Sequence, residues 1–162
     1  MANYSSALLY AANTTAMHTA GAIWCGATAR RIQAYEIEMG QMGVYATTDA
    51  PMQWEVSRFG ATAAMAGTGT VVSSYDPADS QTALTLAIQN VTTEPTYTTQ
   101  GNGLSLKTWA INQRGSYRWR ALDDGDNIIV PATAGFGLGV RSMSITSGYT
   151  SSSVGTISFI ER

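Results

Sequence analysis

The sequence predicts an all-β protein, and three observations carry this prediction. Several runs of residues alternate between apolar and polar side chains, which is the period of a strand that buries one face. The same runs are rich in β-branched and aromatic residues, which favour strands. Turn residues separate the runs at short intervals, and no stretch combines a sustained helical period with capping residues. These patterns predict about eight antiparallel strands that form a sandwich or a barrel.

The alternation is clearest in the run RRIQAYEIEMGQ, which begins at residue 30. One face of this predicted strand carries Tyr35, Ile37 and Met39. The opposite face carries Glu36 and Glu38. Later runs repeat the pattern and predict further strands with one buried face; they are PMQWEVSRFG, TALTLAIQN, SYRWRA and the C-terminal VGTISFIER.

Clusters of Gly, Pro, Asn and Asp mark the turns between these runs. Glycine adopts positive backbone angles, proline fixes its own angle, and Asn or Asp side chains cap the turn. The clusters are DPADS, QGNG, DDGD and SGYTSSS, in that order along the chain. The stretch NVTTEPTYTTQGNG predicts a long loop that either joins two sheets or meets a partner.

Length, charge and composition limit the classes of protein that fit. A chain of 162 residues suits one domain with a well-buried core. Charged residues make up only 12% of the chain, which is common in all-β proteins and in proteins covered by neighbours. The net charge of −2 gives no field that would attract nucleic acid or an anionic membrane. The composition therefore predicts a soluble protein that binds neither.

The first 29 residues contain no Asp, Glu, Lys or Arg. Polar residues interrupt their apolar runs, so the segment lacks the unbroken apolar core of a secretory signal and the length of a membrane span. We expect residues 1–29 to form an N-terminal arm or an edge strand, and residues 30–162 to form the β-sandwich domain.

An uncharged segment with aromatic residues has the composition of an interface core. One hypothesis is therefore that this segment contacts neighbouring chains. The alternative is that it forms the first strand of the sandwich and is buried within its own subunit. The interface side chains expected under the first hypothesis are Leu8, Leu9, Tyr10, Ile23 and Trp24.

The acidic cluster DDGD, at residues 123–126, has two interpretations. A calcium loop needs acidic residues at alternate positions, a glycine and a more distant glutamate, whereas Asn127 leads here directly into the apolar run IIVP. Asp-Gly between apolar runs is instead a strong hairpin signal. We therefore expect a plain hairpin turn, and we predict no metal ion and no cofactor.

Basic and aromatic residues lie close together between residues 114 and 120. On one surface such residues could bind single-stranded nucleic acid. Strand alternation, however, places Arg118 and Arg120 on the face opposite Tyr117 and Trp119. The pattern predicts arginines that face solvent or another subunit, together with Arg114, and aromatic side chains that face the core.

The remaining candidate catalytic groups lack the motifs that catalysis needs. His18 and Cys25 are the only histidine and cysteine, and no group that would orient a base is recognisable beside either. Cys25 lies in an apolar stretch, which favours a buried, inert thiol. Glu36 and Glu38 are adjacent on one strand face, whereas a glycosidase pair lies across a cleft. The chain is therefore predicted not to be an enzyme.

The run GFGLG, at residues 135–139, places glycines in alternation with apolar residues. No helix signal follows, so the run lacks the strand–helix context of a nucleotide-binding fingerprint. We expect instead a strand face without side chains, against which another group packs closely.

Three stretches resemble small structural proteins of tailed-bacteriophage virions. They are SRFGATAAMAGTGTVVSSYDPAD, INQRGSYRWRALDDGDNIIVPATAGFGLGVRS and VGTISFIE, and the resemblance extends from Arg58 onward. The resemblance rests on the order of these pieces along the chain. The resemblance implies a jelly-roll-like antiparallel β-sandwich used for capsid decoration or cement, and it supplies no catalytic residues.

The same resemblance implies a protein of the capsid surface that is synthesised in the host cytoplasm. Its expected partners are the major capsid protein and further copies of itself in a homotrimer, since closed assemblies form around local symmetry axes. The alternative is a lectin-like or receptor-binding sandwich on a virion surface. Such a site needs an exposed aromatic platform, and Tyr75, Tyr97 and Tyr149 lie in predicted loops, whereas all four tryptophans lie in or beside strand-like runs.

Overall fold

The computed structural model describes residues 2–28, 30–60, 65–78, 83–97, 105–145 and 151–162. In these residues the chain forms twelve β-strands and one short 3-10 helix, and all strand pairs are antiparallel. The strands form two sheets that enclose the main core, so the predicted all-β sandwich is confirmed. Within these ranges there is no helix long and apolar enough to cross a membrane.

The five runs with predicted alternation coincide with strands β3, β4, β7, β9 and β12. The strands are β1 Asn3–Tyr10, β2 His18–Cys25, β3 Ile32–Gly43, β4 Pro51–Phe59, β5 Ala66–Gly69, β6 Ser73–Ser74, β7 Thr85–Thr93, β8 Lys107–Asn112, β9 Tyr117–Arg120, β10 Ile128–Val130, β11 Gly137–Ser144 and β12 Ser151–Glu161. The 3-10 helix, Asp124–Asp126, lies between β9 and β10.

The strand order is that of a jelly roll with an insertion. Sheet I has the order β10-β3-β12-β1-β6, and β9 also pairs with β3. Sheet II has the order β5-β7-β2-β11-β4-β8. Because β9 and β10 pair with successive parts of β3, they act as two halves of one strand. With β5, β6 and β7 set aside as an insertion, eight strands remain in the two four-stranded sheets of a jelly roll.

The core lies between the inner faces of the two sheets. Alternate residues of each strand point inward, and burying a large apolar side chain contributes roughly 1.5–3 kcal/mol. Trp54 of sheet II and Tyr4 of sheet I are among the largest fully buried side chains. Other core side chains are Leu8, Ile37, Met39, Ile157 and Phe159 from sheet I and Ile23, Met52, Val56, Leu138 and Val140 from sheet II.

The uncharged N-terminal segment supplies one strand to each sheet. Strand β1 pairs along its whole length with β12, and on its other side only Tyr4 and Ser5 pair with the short β6. Strand β2 lies between β7 and β11 in sheet II. The segment is therefore hydrogen bonded to both sheets of the sandwich.

A β-bulge corrects one part of the predicted alternation. The register of β3 against β12 shifts between Ser158 and Phe159, so that Ala34 pairs with Phe159 and Glu36 with Ser158. Ala34 and Ile37 are buried in the core, whereas Tyr35, the extra residue, lines a surface pocket. The prediction that Tyr35 shares the face of Ile37 and Met39 is wrong, because a bulge adds one residue and reverses the alternation beyond it.

Candidate interaction surface

The outer face of sheet II is covered by the chain itself. Side chains that point away from the main core form a second, smaller apolar cluster there. Phe59 at the end of β4 is fully buried in it, and Tyr97, from the segment that follows β7, packs against it. The other members are Ala22, Ile88 and Val91, with Trp24 and Met65 partly buried at its margin.

Polar contacts hold the segment after β7 against sheet II. A carboxylate oxygen of Glu94 accepts a hydrogen bond of 2.7 Å from the backbone N–H of Thr19, and the hydroxyl groups of Thr19 and Tyr97 hydrogen bond to each other. The guanidinium of Arg141 lies 4.3 Å from the Tyr97 ring centroid and 3.0 Å from a carboxylate oxygen of Glu55. Burial raises the pKa of the Tyr97 phenol, which therefore stays protonated.

His18 and Cys25 lie at opposite ends of β2 and do not form a pair. They are seven positions apart along the strand, which corresponds to about 23 Å. The imidazole of His18 stacks on Tyr10, and its Nδ1 lies 3.7 Å from a carboxylate oxygen of Glu94. The thiol of Cys25 is buried and donates to the carbonyl oxygen of Arg30 at 3.0 Å, and burial raises its pKa. The predicted buried thiol is confirmed.

The outer face of sheet I carries a ladder of opposite charges. Arg118 lies 2.6 Å from one carboxylate oxygen of Glu36 and 3.3 Å from one of Glu38, and Arg120 lies 3.8 Å from Glu36. The Glu36 side chain is only 12% exposed, and its hydrogen bond raises the pKa of Arg118. The two glutamates and two arginines were each predicted to face outward. The sequence did not show that they meet.

The aromatic residues of β9 lie on the opposite face from its arginines, as predicted. Trp119 is partly buried against the main core, whereas Tyr117 is 39% exposed at the margin. Arg114 lies apart from both, in the turn after β8, where it pairs with Asp49 at 3.3 Å. The absence of nucleic-acid binding by this segment stays a prediction.

The centre of the same sheet face has no charged side chain. Outward-facing residues of β1 and β12 pair with each other here: Ala7 lies beside Thr156, and Leu9 lies beside Val154. On its other side, Val154 pairs with Gly40 of β3. Ala7 is exposed and the others are half-buried. We call this surface, residues 7, 9, 40, 154 and 156 with the adjoining charge ladder, the open face.

A groove of about 480 Å³ lies where the uncharged centre meets the ladder. The backbone of Gly40 and Gly155 contributes to it, and Tyr117, Arg118 and Glu38 line its charged side. The open face therefore combines a shallow uncharged depression with a charged margin.

The predicted interface residues occupy different environments. Leu8 and Ile23 are buried in the main core. Leu9 lies on the open face, Tyr10 stacks on His18, and Trp24 packs partly buried on the covered face of sheet II. Contact with a neighbouring chain stays a prediction, and of the five residues only Leu9, Tyr10 and Trp24 retain surface for it.

The acidic cluster forms a turn of the 3-10 helix. The side chain of Asp123 accepts a hydrogen bond of 2.7 Å from the backbone N–H of Gly125, and Asp124 lies 3.5 Å from Arg162. The expected hairpin is wrong, because β9 and β10 pair with β3 rather than with each other. The turn interrupts a strand instead of reversing it. Among the described residues, no three acidic, histidine or cysteine side chains are grouped as metal ligands would be.

Sequence reasoning missed the role of Glu55, Glu94 and Arg141. The predicted long loop pointed to the segment that contains Glu94, but not to the surface it covers. One signal was available: the glycines at 137 and 139 predicted that something packs closely on this strand face. No protein-family model, curated protein or solved structure matches the chain, so the resemblance to virion proteins stays a prediction.

Proposed function

We propose that the chain is a structural virion subunit, a capsid decoration or cement protein that binds the major capsid protein and self-associates as a homotrimer. The observation that carries this proposal is the open face, an uncharged centre of small side chains bordered by ion pairs on one side of a jelly roll. The resemblance of residues 58–162 to virion proteins supports the same class.

The open face has the composition of a protein interface. Interface cores are depleted in charge, and their rims are polar and hydrated. Ala7, Gly40 and Thr156 are small, so the backbone of a partner can approach the sheet closely. Leu9 and Val154, which pair on neighbouring strands, add apolar area to the open face. The ion pairs between β3 and β9 provide a charged border that would fix the orientation of a partner.

The two sides of the sandwich differ in a way that suits attachment to a shell. The outer face of sheet II is covered by the segment that carries Glu94 and Tyr97. The open face of sheet I has no such cover among the described residues. A subunit with one covered face and one open face can bind a lattice with the open face and present the other to solvent.

Sheet I also offers two different edges for self-association. The charged strand β9 lies on one side of β3, and the uncharged strands β1 and β6 lie on the far side of β12. A rotational trimer needs two different patches on each copy, because its contacts are head-to-tail. The two edges meet that requirement.

Add-back to particles tests the proposal. Particles from a source in which the gene is disrupted should bind the purified protein and then withstand a higher temperature before they break. Ala7→Arg, in the centre of the open face, should weaken this binding roughly tenfold or more, because it buries an unpaired charge. Ala110→Arg is the matched control, since Ala110 is exposed on the outer side of β8 in sheet II, and it should bind like the wild type.

Each arm of this experiment can contradict the proposal. Both variants must keep the wild-type melting temperature, which shows that the substitutions do not unfold the sandwich. If Ala7→Arg then binds as tightly as the wild type, the open face is not the docking surface. If the wild-type protein does not bind the particles at all, the chain is not a decoration protein.

The ring of Tyr75 favours a second candidate, a lectin-like or receptor-binding module. Tyr75 is 55% exposed, and its hydroxyl hydrogen bonds to that of Ser158 at 2.7 Å. An exposed ring beside polar groups is the platform on which a sugar stacks. Glycan binding that is lost in Tyr75→Ala and kept in Tyr45→Ala would favour this candidate, whereas the absence of glycan binding by the wild type would exclude it.

A further inference from the structure

A cavity at one end of the sandwich combines two arginines with aromatic rings. Its volume is about 280 Å³, and it lies where β4 and β10 end and where β3 and β11 begin. Arg58 and Arg31 line it together with Phe59 and Phe136. Pro131, Ile129 and Gly137 complete the lining. The volume is close to the lower end of the range for small-molecule sites, roughly 300–1,000 Å³.

The chain itself holds the guanidinium of Arg58 in place. Its Nε donates a hydrogen bond of 2.8 Å to the carbonyl oxygen of Ile129, which connects β4 of sheet II with β10 of sheet I. A guanidinium has five N–H donors, and this contact uses one of them. In the described part of the chain, no acceptor is found for the other four. Within the described residues, these donors are therefore open to a ligand in the cavity.

No described residue forms an ion pair with either arginine of this site. Within the described ranges, five other arginines do form ion pairs. Burial lowers the pKa of Arg58, because its charge is partly removed from water. An arginine remains charged at any ordinary pH. Binding an anion would therefore compensate the charge of Arg58.

The apolar lining selects among anions. Phe136, which is half-buried, and Pro131, which is exposed, line the cavity and leave apolar surface open to a ligand. A fully hydrated anion such as phosphate gains little from such surfaces, whereas an apolar group attached to the anion is removed from water. The planar guanidinium matches the two oxygens of a carboxylate.

We propose that this cavity binds a carboxylate attached to a compact apolar group, with Arg58 and Arg31 holding the carboxylate and the side chains of Phe136 and Pro131 contacting the apolar group. The carboxylate can belong to a free aromatic acid or to the C-terminal residue of a polypeptide. This site lies at the end of the sandwich, and it does not depend on the virion role proposed above.

Nuclear magnetic resonance titrations of the full chain test the proposal with four probes. N-acetyl-phenylalanine represents a polypeptide C-terminus, and phenylacetate represents a free aromatic acid. N-acetyl-phenylalanine amide lacks the carboxylate, and inorganic phosphate lacks the apolar group. At least one of the two carboxylates should shift the amide signals of Phe136 and Gly137 and the Nε–H signal of Arg58 in the millimolar range. The one that binds more tightly identifies the source of the ligand.

Substitution of single arginines then shows which of them contacts the carboxylate. Arg58→Gln should weaken binding roughly ten- to hundredfold, the usual effect of losing a hydrogen bond to a charged group. Arg31→Gln, which changes an exposed residue, should weaken it less and provides the test if Arg58→Gln fails to fold. Arg30→Gln removes the same charge from an exposed neighbour outside the cavity and should leave binding unchanged.

Several results would overturn the proposal. Equal binding of the amide would show that the carboxylate is not recognised, and equal binding of phosphate would show that the apolar lining contributes nothing. Unchanged affinity in folded Arg58→Gln, or in Arg31→Gln where Arg58→Gln does not fold, would remove the arginines from the site. Failure of both carboxylates to bind would leave the cavity without the ligand we assign to it.

Discussion

The phenol of Tyr97 lies against Gly139, in the space that a side chain at residue 139 would occupy. Two residues earlier, the ring of Phe59 occupies the corresponding space over Gly137. The alternating glycines of GFGLG predicted a strand face on which something packs closely, and both contacts confirm that prediction. The absence of side chains at residues 137 and 139 of β11 therefore allows the segment after β7 to cover sheet II.

Replacing Gly139 by alanine should destabilise the fold, because the added methyl group overlaps the Tyr97 phenol. Overpacking of this kind costs about 1–3 kcal/mol in the free energy of unfolding. Gly69→Ala is the matched control, since Gly69 is an exposed strand glycine with open space around its missing Cβ. It should change stability by less than about 1 kcal/mol. Urea denaturation measures both variants, and equal effects would contradict the close packing at Gly139.

Stability should fall at high pH because of Tyr97. Folding raises the pKa of its phenol, so the folded chain keeps the proton where the unfolded chain loses it. The stabilisation is therefore complete below about pH 10, the usual tyrosine value, and is lost as the pH rises towards the higher value of the folded state. Tyr97→Phe should show a shallower loss above this pH than the wild type, whereas Tyr45→Phe should follow the wild type. Indistinguishable slopes for the two variants would contradict the buried phenol.

The Cys25 thiol should be unreactive in the folded chain. It is buried, and burial raises its pKa, so little thiolate forms near neutral pH. Ellman's reagent should react slowly with the native protein and rapidly with the same protein in urea. A native reaction as fast as that of the unfolded chain would show that the thiol is accessible.

The acidic turn should depend on one hydrogen bond and not on calcium. Asp123→Ala removes the acceptor for the Gly125 N–H and should lower the free energy of unfolding by about 0.5–1 kcal/mol. Asp126→Ala, an exposed change in the same turn, should have a smaller effect. Calcium should leave the melting temperature of the wild type unchanged. A rise of several degrees that the alanine variants abolish would identify a metal site instead.

Local patterns in the sequence were enough to predict the strands with the clearest alternation, β3, β4, β7, β9 and β12. A strand that buries one face must alternate, and the runs around Ile37, Trp54 and Ile157 all do so. The four tryptophans lie in strands as expected. The inserted strands β5 and β6 were not predicted, because four and two residues are too few to show a period.

Contacts between distant residues could not be predicted in the same way. The pair Glu36–Arg118 joins positions 82 residues apart, and only the pairing of β9 with β3 brings them together. The bulge at Tyr35 depends on the register against β12 rather than on the local sequence. Likewise, Arg31 and Arg58 line one cavity only because β3 begins and β4 ends at the same end of the sandwich.

The virion role can be examined by quantitative mass spectrometry of density-gradient-purified particles from the native source. A decoration protein that binds the shell in a regular array should be present at a fixed copy-number ratio to the major capsid protein, and that ratio should not change through repeated purification. A ratio that falls towards zero with each gradient would contradict the proposal that this jelly roll binds the capsid.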